Sequence, residues 1–379
     1  MEKLEKLFES HKFRKYGYAS DIYTVEALEK YHSCKCVLYY SGDAMRAVVD
    51  YVTKTDGIKI DCIIDENPKA EEFNGIRVLS RSAFAELNKN GGTKYYALIY
   101  GTVMSTAKRV KIFQYLRSQR IVKVIWLNPE VDAITKPDWH EFFISNQAAF
   151  CKNAELFTDE RSKDTYYEYL RAYLEGHRYE GYTSPEEDKY FLTEEKLIEH
   201  LEDECWINLG ACRGDTILHF IRQGLAYQRI YAVEGDAKTA KKLERHLRYL
   251  SPELRKKIHT IGRYFGAGGK GDSCSIDDYF QDKKITYINM DIEGAEADVL
   301  KSAEGVIRKN RPVLAVCVYH KKEDLLVIPE LIGKLTTEYT FFLRKYPSIM
   351  GAYLDGYFEL NELVLYAVPN ERLKGKKEV

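Results

Sequence analysis

The sequence has no apolar run of about 18 residues, the length a membrane-spanning helix needs, and its mean hydropathy is −0.42. Its opening residues, MEKLEKLFESHKFRKYG, are charged throughout and lack the apolar core of a secretory signal, so a cytoplasmic protein is expected. Neither sign of charge is in excess: 57 Lys plus Arg meet 58 Asp plus Glu, a formal net charge of −1. That balance argues against a general nucleic-acid coat or a polybasic membrane surface. The eight cysteines contain no C-x-x-C pair, which removes zinc-ribbon and thioredoxin-type readings. They read as reduced thiols, with Cys34 and Cys36 on one face of a strand. There is no internal repeat at solenoid period. What the chain has in excess is tyrosine, 30 residues against 16 Phe and 3 Trp.

At roughly 150 residues per domain, 379 residues predict two domains with a connecting segment. After a charged lead-in, strand-like runs at 34–41, 58–65, 76–80, 94–100 and 122–127 alternate with helical spacing at 44–54, 81–89 and 105–119. This pattern predicts a parallel sheet with helices on both faces. Residues 131–200 are rich in Tyr, Glu, Lys and Arg and read as a helical connector. A second alternating unit begins at Cys205. Its strands are expected at 205–210, 229–235, 257–265, 285–291, 312–320, 339–346 and 362–368, and its helices at 214–224, 237–250, 295–309 and 323–335. The two closing strands have no helix between them, which suggests one antiparallel edge strand. The expected organisation is therefore 1–130 as an N-terminal Rossmann-like α/β domain, 131–200 as connector, 201–370 as the second α/β domain and 371–379 as a charged tail.

Three features of the second unit carry chemistry. The first is Asn208-Leu-Gly210-Ala211-Cys-Arg-Gly214-Asp215, between a strand and a helix. Glycines there let a ligand approach the backbone, and the helix start offers free N–H groups. The second is Glu234, followed by Gly235, at the end of the next strand. An acceptor-only carboxylate about 20 residues beyond a glycine turn is placed to take both hydroxyls of a ribose. The third is Asn289-Met-Asp291-Ile-Glu293-Gly-Ala-Glu296. It sets three carboxylates at the carboxyl edge of the sheet, where ligands bind in open α/β folds; helix capping accounts for one of the three.

These stretches, INLGACRGDTILHFI, RIYAVEGD, SIDDYF, ITYINMDIEGAEADVLKSA, RPVLAVCVYHKKEDLLVIPELI, YTFFLRKY and ELVLYAV, resemble the FkbM family of S-adenosylmethionine-dependent methyltransferases. LFTDERSKDTYYEYLRAY and DKYF extend the resemblance into the connector, so that it spans roughly 150–368. The resemblance implies a seven-stranded Rossmann-like methyltransferase sheet and O-methylation of a hydroxyl on a sugar, glycan or secondary metabolite. It implies that Gly210 and Gly214, with Asn208, Ala211 and Asp215 beside them, line the methionine part of S-adenosylmethionine, and that Glu234 and Gly235 hold the ribose. It sets Ser273 near the adenine, and Asp291 and Glu293 towards the methyl and the acceptor. The chain departs from the family in having Asn208 where Asp is usual and Asn289 where Lys is frequent.

A hydroxyl acceptor needs a base or a metal. His320 ends the strand beside Asp291 and is the expected base, against a plain strand-end role bonded to Asp324. Asp291 either orients His320 or, with Glu293, holds a divalent cation. In the first unit, Gly42 stands alone and Asp65 ends strand two, 23 positions on. This is either a nucleotide or nucleotide-sugar site or a degenerate scaffold domain. A dehydrogenase reading of that unit is opposed by the missing G-x-G-x-x-G. The expected partners are the acceptor and a nucleotide-sugar, with no nucleic acid and no membrane span; a homo-oligomer is left open. Amphipathic tyrosine rings in the connector and last strands predict a seam where the two domains meet.

Overall fold

The computed structural model describes residues 2–11, 31–41, 45–55, 57–101, 106–126, 138–175, 179, 181–193, 195–267, 274–347 and 362–374. Two sheets organise the chain. The first has six strands in the order β3-β4-β2-β1-β5-β6, formed by β1 (Lys35–Ser41), β2 (Ile60–Asp65), β3 (Glu72–Phe73), β4 (Ile76–Leu79), β5 (Tyr95–Gly101) and β6 (Lys123–Trp126). Its strands are runs of Val, Ile, Leu and Tyr, which fit a pleat buried on both faces. The pairs are parallel except β3 with β4. β4 is the strand expected at 76–80, whereas β3, its hairpin partner, is a strand that the sequence pattern does not show. Asn74 and Gly75 both have positive φ, 52° and 79°, the conformation of a tight two-residue turn whose twist matches the strands it joins.

The second sheet has seven strands in the order β12-β13-β11-β10-β7-β8-β9. They are β7 (Cys205–Leu209), β8 (Arg229–Val233), β9 (Ile258–Ile261), β10 (Tyr287–Met290), β11 (Val313–Cys317), β12 (Tyr339–Lys345) and β13 (Leu363–Pro369). The antiparallel strand is β13, but it does not lie at the edge. It inserts between β11 and β12, antiparallel to both, so the expected antiparallel edge strand is corrected to an inner one. The fold is α/β, a C-terminal seven-stranded Rossmann-like sheet preceded by a smaller α/β sheet and a helical segment.

One helix expected over 295–309 is two, Glu296–Lys301 and Glu304–Asn310. The cause is a side chain from elsewhere. Asp277 accepts from the N–H groups of Gly305 (2.8 Å) and Val306 (2.7 Å), capping a fresh helix start. The carbonyl of Ser302 is turned out to accept from Asp277 N at 2.8 Å.

Helices cover both faces of the second sheet, each with its own apolar core. The helix Glu160–Glu175 packs along β12. Tyr166 and Tyr169 from that helix are buried in the core under one sheet face, together with Leu4, Leu7 and Phe8 of the first helix. Tyr346 and Tyr366 lie in the opposite core. Among the described residues, Tyr166, Tyr169, Tyr346 and Tyr366 are thus buried inside the C-terminal unit and not in the seam expected between domains, and neither core takes a described residue of the first sheet. Tyr353 and Tyr357 lie outside the described residues. Arg344 of β12 fastens this layer. It is buried and donates to Glu195, to Asp159 (3.0 Å) and to Ser162 Oγ (2.7 Å).

Candidate active site

Register builds the site before any side chain does. Leu209, the last residue of β7, pairs with Val233 and Met290, the last residues of β8 and β10. The next residues, Gly210, Glu234 and Asp291, therefore stand side by side at the carboxyl edge, with adjacent strands about 4.8 Å apart. Met290 also pairs with Val316, which brings Cys317 level with Asp291 and His320 just beyond.

Gly210 has φ +83°, and a Cβ on it would lie 2.0 Å from the carbonyl oxygen of Asp291. Only glycine lets the chain turn there against β10. The N–H groups of Gly210 and Ala211 bond the carbonyl of Val233 at 3.1 and 2.9 Å, and that of Gly214 bonds Ala211 at 2.7 Å. Gly214 then starts the helix Asp215–Arg222, with Asp215 exposed in its first turn. Glu234 is tied to this loop: Oε2 accepts from Cys212 N and Oε1 from Asp236 N, both at 2.9 Å. A carboxylate offers about four lone-pair sites, so each oxygen keeps room for a further donor. The ring of Tyr264 lies where a Cβ on Gly235 would go. Asn208 is fully buried, and neither atom of its side-chain amide has a hydrogen-bond partner among the described residues. Ser273 lies outside the described residues. Its neighbours Ser275 and Ile276 cap a helix and fill the core.

The acidic cluster closes around His320. Its Nε2 stands 3.3 Å from Asp291 Oδ1, and its Nδ1 stands 2.9 Å from Oε1 of the fully buried Glu296. Glu293 Oε2 is 3.7 Å from Nε2, on a side chain that is 91% exposed. Glu296, rather than Glu293, is the second acid in close contact. Burial alone would push the His320 imidazole down; the flanking Asp291 and Glu296 more than reverse it and raise its pKa to about 10. Burial would push Asp291 up, but His320, Lys189 and Tyr190 hold it down, to about 2. The pair is therefore an imidazolium between carboxylates at neutral pH. One ligand atom each from Asp291, Glu296 and His320 lies within 4.8 Å of the others. However, the two acids face different ring nitrogens, and a cation takes only one in-plane nitrogen lone pair. The arrangement suits a proton better than a metal. Asp324 does not contact His320 in the way expected of a strand-end histidine; its Oδ2 accepts from Lys321 N at 2.7 Å.

Beneath Asp291 runs a segment that residue patterns did not single out for the site. Tyr190, buried and at φ +70°, donates its hydroxyl to Asp291 Oδ2 at 2.7 Å. Tyr319 donates to Oδ1 at 3.3 Å. The Tyr190 backbone is held in turn: its N–H bonds Tyr366 Oη at 2.8 Å, its carbonyl accepts from Tyr287, and Tyr366 shares a 2.6 Å hydrogen bond with Tyr346. Lys189 pairs with Glu362. The one signal for this segment was the DKYF match. Asn289, the departure from the family's Lys, is buried and accepts from Trp206 Nε1 at 2.7 Å; it packs beneath the site.

Residues 270–346 match the family model described as the methyltransferase FkbM domain. Among solved structures, the methyltransferase FkbM from Methylobacillus flagellatus KT is 21% identical, with 97% of this chain and 98% of that one covered at a TM-score of 0.65. An rRNA methylase from Streptococcus thermophilus (13% identity, 45% of this chain and 87% of that one) and the Aeropyrum pernix fibrillarin with natively bound S-adenosyl-L-methionine (16%, 45% and 70%) each reach a TM-score of only 0.31. No curated protein matches the chain. Among the described residues no helix is long and apolar enough to cross a membrane. The chain thus has the fold of an FkbM methyltransferase over nearly its whole length, and its residues 270–346 match that family's domain.

Proposed function

We propose that the chain is an S-adenosylmethionine-dependent O-methyltransferase acting on a hydroxyl of a sugar, glycan or secondary metabolite. The observation that carries this is the joining of Glu234 to the glycine loop through Cys212 N, in line with Asp291 and His320 on the same edge. The residues fit the cofactor. Gly210 lets the loop turn tightly against β10, Glu234 keeps acceptor capacity for ribose hydroxyls, and Asn208 brings an orphaned amide under the loop. When bound, S-adenosylmethionine supplies an electrophilic methyl carbon on a sulfonium. The chain's part is to orient an acceptor hydroxyl and receive its proton. Asp291, fixed by Tyr190, Tyr319 and His320, accepts a hydrogen bond from the acceptor. His320 is the base in its neutral form, with Glu296 and Asp291 holding the ring. Glu293, exposed at the rim, faces the acceptor.

The test is calorimetric titration with S-adenosylhomocysteine. Saturable binding is expected, weakened on the order of 100-fold by Glu234→Ala through loss of charge-assisted hydrogen bonds; absence of binding to the wild type overturns the enzyme reading. A second reading, a catalytically weak domain paired with nucleotide-sugar binding by the first unit, is favoured by one observation. His320 faces a carboxylate oxygen at each ring nitrogen, at 3.3 and 2.9 Å, and holds its proton well above neutrality. With a base of that affinity, turnover rises with pH towards about 10. A mass gain of one methyl group on a glycan acceptor that never appears across that range supports the second reading.

A further inference from the structure

The helix Ala237–Leu247, which follows Glu234, carries a pattern that methyl transfer does not use. Its sequence buries Leu243 and Leu247, and the spacing of 3.6 residues per turn sends Lys238, Lys241, Lys242, Arg245 and Arg248 to the opposite side as one stripe. Tyr249 falls in the same stripe and is 87% exposed. Glu244 borders it, three residues after Lys241 and four before Arg248, and pairs with neither among the described residues. From Ala237 to Lys257 there are eight Lys or Arg and two acids, a net +6, in a chain whose formal net charge is −1. The rest of the chain therefore carries 49 Lys or Arg against 56 acids, a mild negative excess, and this face is a local reversal.

On several other helices exposed cations are paired one turn away: Lys6 with Glu2, Lys54 with Asp50, Lys163 with Glu160, Arg308 with Glu304 and Lys334 with Glu330. Among the described residues, none of the five cations of the stripe makes an ion pair. Like charges at i,i+3 and i,i+4 disfavour a helix by a few tenths of a kcal/mol each, a cost that an anionic partner would reverse. The stripe is also placed for substrate work. The helix starts at the carboxyl edge, where Asp236 caps it by accepting from Thr239 N at 2.8 Å. His246 Nδ1 lies 3.1 Å from the carbonyl of Arg213 in the glycine loop.

We infer that this helix face docks a polyanionic glycan, a chain of sugars bearing carboxylate groups, with the cations meeting the carboxylates and the Tyr249 ring meeting a sugar face. Charge complementarity carries the anionic part of the inference. The sugar part rests on the proposed methylation of a glycan hydroxyl. A stripe one helix wide and about 16 Å long, on an otherwise mildly acidic molecule, suits a single flexible chain better than a phosphodiester duplex or a planar acidic bilayer, which would bring that remainder close to like charge.

The experiment measures binding of the full-length chain to polygalacturonate, to a single-stranded oligothymidylate and to phosphatidylglycerol vesicles, at low and at physiological salt. The expected result is saturable binding to polygalacturonate that weakens with salt and falls roughly tenfold or more in Lys241→Glu/Arg245→Glu. Tyr249→Ala should weaken it further without changing its salt dependence. S-adenosylhomocysteine affinity should remain at wild-type level in every variant, which shows the fold intact and separates failure here from failure of the methyltransferase reading. No binding to polygalacturonate, binding unchanged by the charge reversal, or tighter binding to the oligonucleotide or the vesicles overturns the inference.

Discussion

At the end of β2, Asp65 accepts a hydrogen bond from the N–H of Asn67, two residues on. At the end of β8, Glu234 accepts one from Cys212, 22 residues back in the loop after β7. Both acids close the second strand of a Rossmann-like unit. In the first, the described contacts make a local turn; in the second they knit two strand ends together. The acid after Asp65 tells the same story. Glu66 is closed off by Arg81 at 2.6 Å and by the Tyr39 hydroxyl at 2.9 Å, a self-satisfied cluster. At the second edge, Glu234 accepts one described hydrogen bond at each oxygen and keeps acceptor capacity at both. A strand-end acid becomes a site when the loop beside it needs that acid's hydrogen bonds and leaves lone pairs over. Gly42, which would line the corresponding loop of the first unit, lies outside the described residues.

The comparison can be pressed hardest at its ion pairs. Arg344→Met removes the cation from Asp159 and leaves Glu195 with Arg161 alone, beside a buried strand, and a loss of about 3–5 kcal/mol is expected. Arg81→Met, at the half-buried cluster of the first unit, should cost about 1 kcal/mol. Urea unfolding followed by circular dichroism checks both, and equal losses would break the contrast between a buried and a surface-type network.

The backbone gives a smaller difference. Gly210→Ala meets the Asp291 carbonyl at 2.0 Å in a left-handed conformation, and more than about 2 kcal/mol of stability should be lost. Gly57 has a similar φ of +66° but nothing within 4 Å. Gly57→Ala should cost only the strain of the conformation, about 1 kcal/mol. If the two substitutions prove equal, the close approach of β7 to β10 is not what fixes glycine at 210.

The gentlest probe is pH. His320 has its pKa raised from 6.5 to about 10 on folding. Its contribution is complete below about 6.5 and is lost as pH rises through about 10, by at most about 1.4 kcal/mol per pH unit. Asp291 is lowered from 3.8 to about 2, so its contribution is present above about 3.8 and is lost as pH falls through about 2. Stability measured from pH 6 to 10 should decline in the wild type and decline less in His320→Gln. An identical decline in both would place the cause elsewhere.

Much of the architecture was readable because its signals are local. Apolar runs such as LYY, CII and VLAV, separated by Gly, Pro and charged turns, set the alternation of strands and helices. The glycine turn, Glu234, Asp291 and His320 were readable as candidates because each sits at a recognisable strand end. The broken helix at Ser302 was not, because Asp277, some 28 residues earlier, supplies the cap. Glu296 was visible as one of three carboxylates, but nothing in its spacing shows that it, and not Glu293, is buried against His320. Tyr190 and Tyr319 were hidden among 30 tyrosines; what selects them is the register of β10 and β11 and the passage of residues 188–192 beneath Asp291.

The sequence by itself therefore determined the inventory: two α/β units, the order of their elements, and the acids and imidazole at the second unit's strand ends. It could do so because secondary structure and strand-end chemistry follow from short-range periodicity. Tertiary structure decided which of those groups meet, that β13 enters the sheet beside β11, and that His320 is an imidazolium between Asp291 and Glu296. Those outcomes depend on strand register and on burial, through which residues far apart in the chain set one another's contacts and charge.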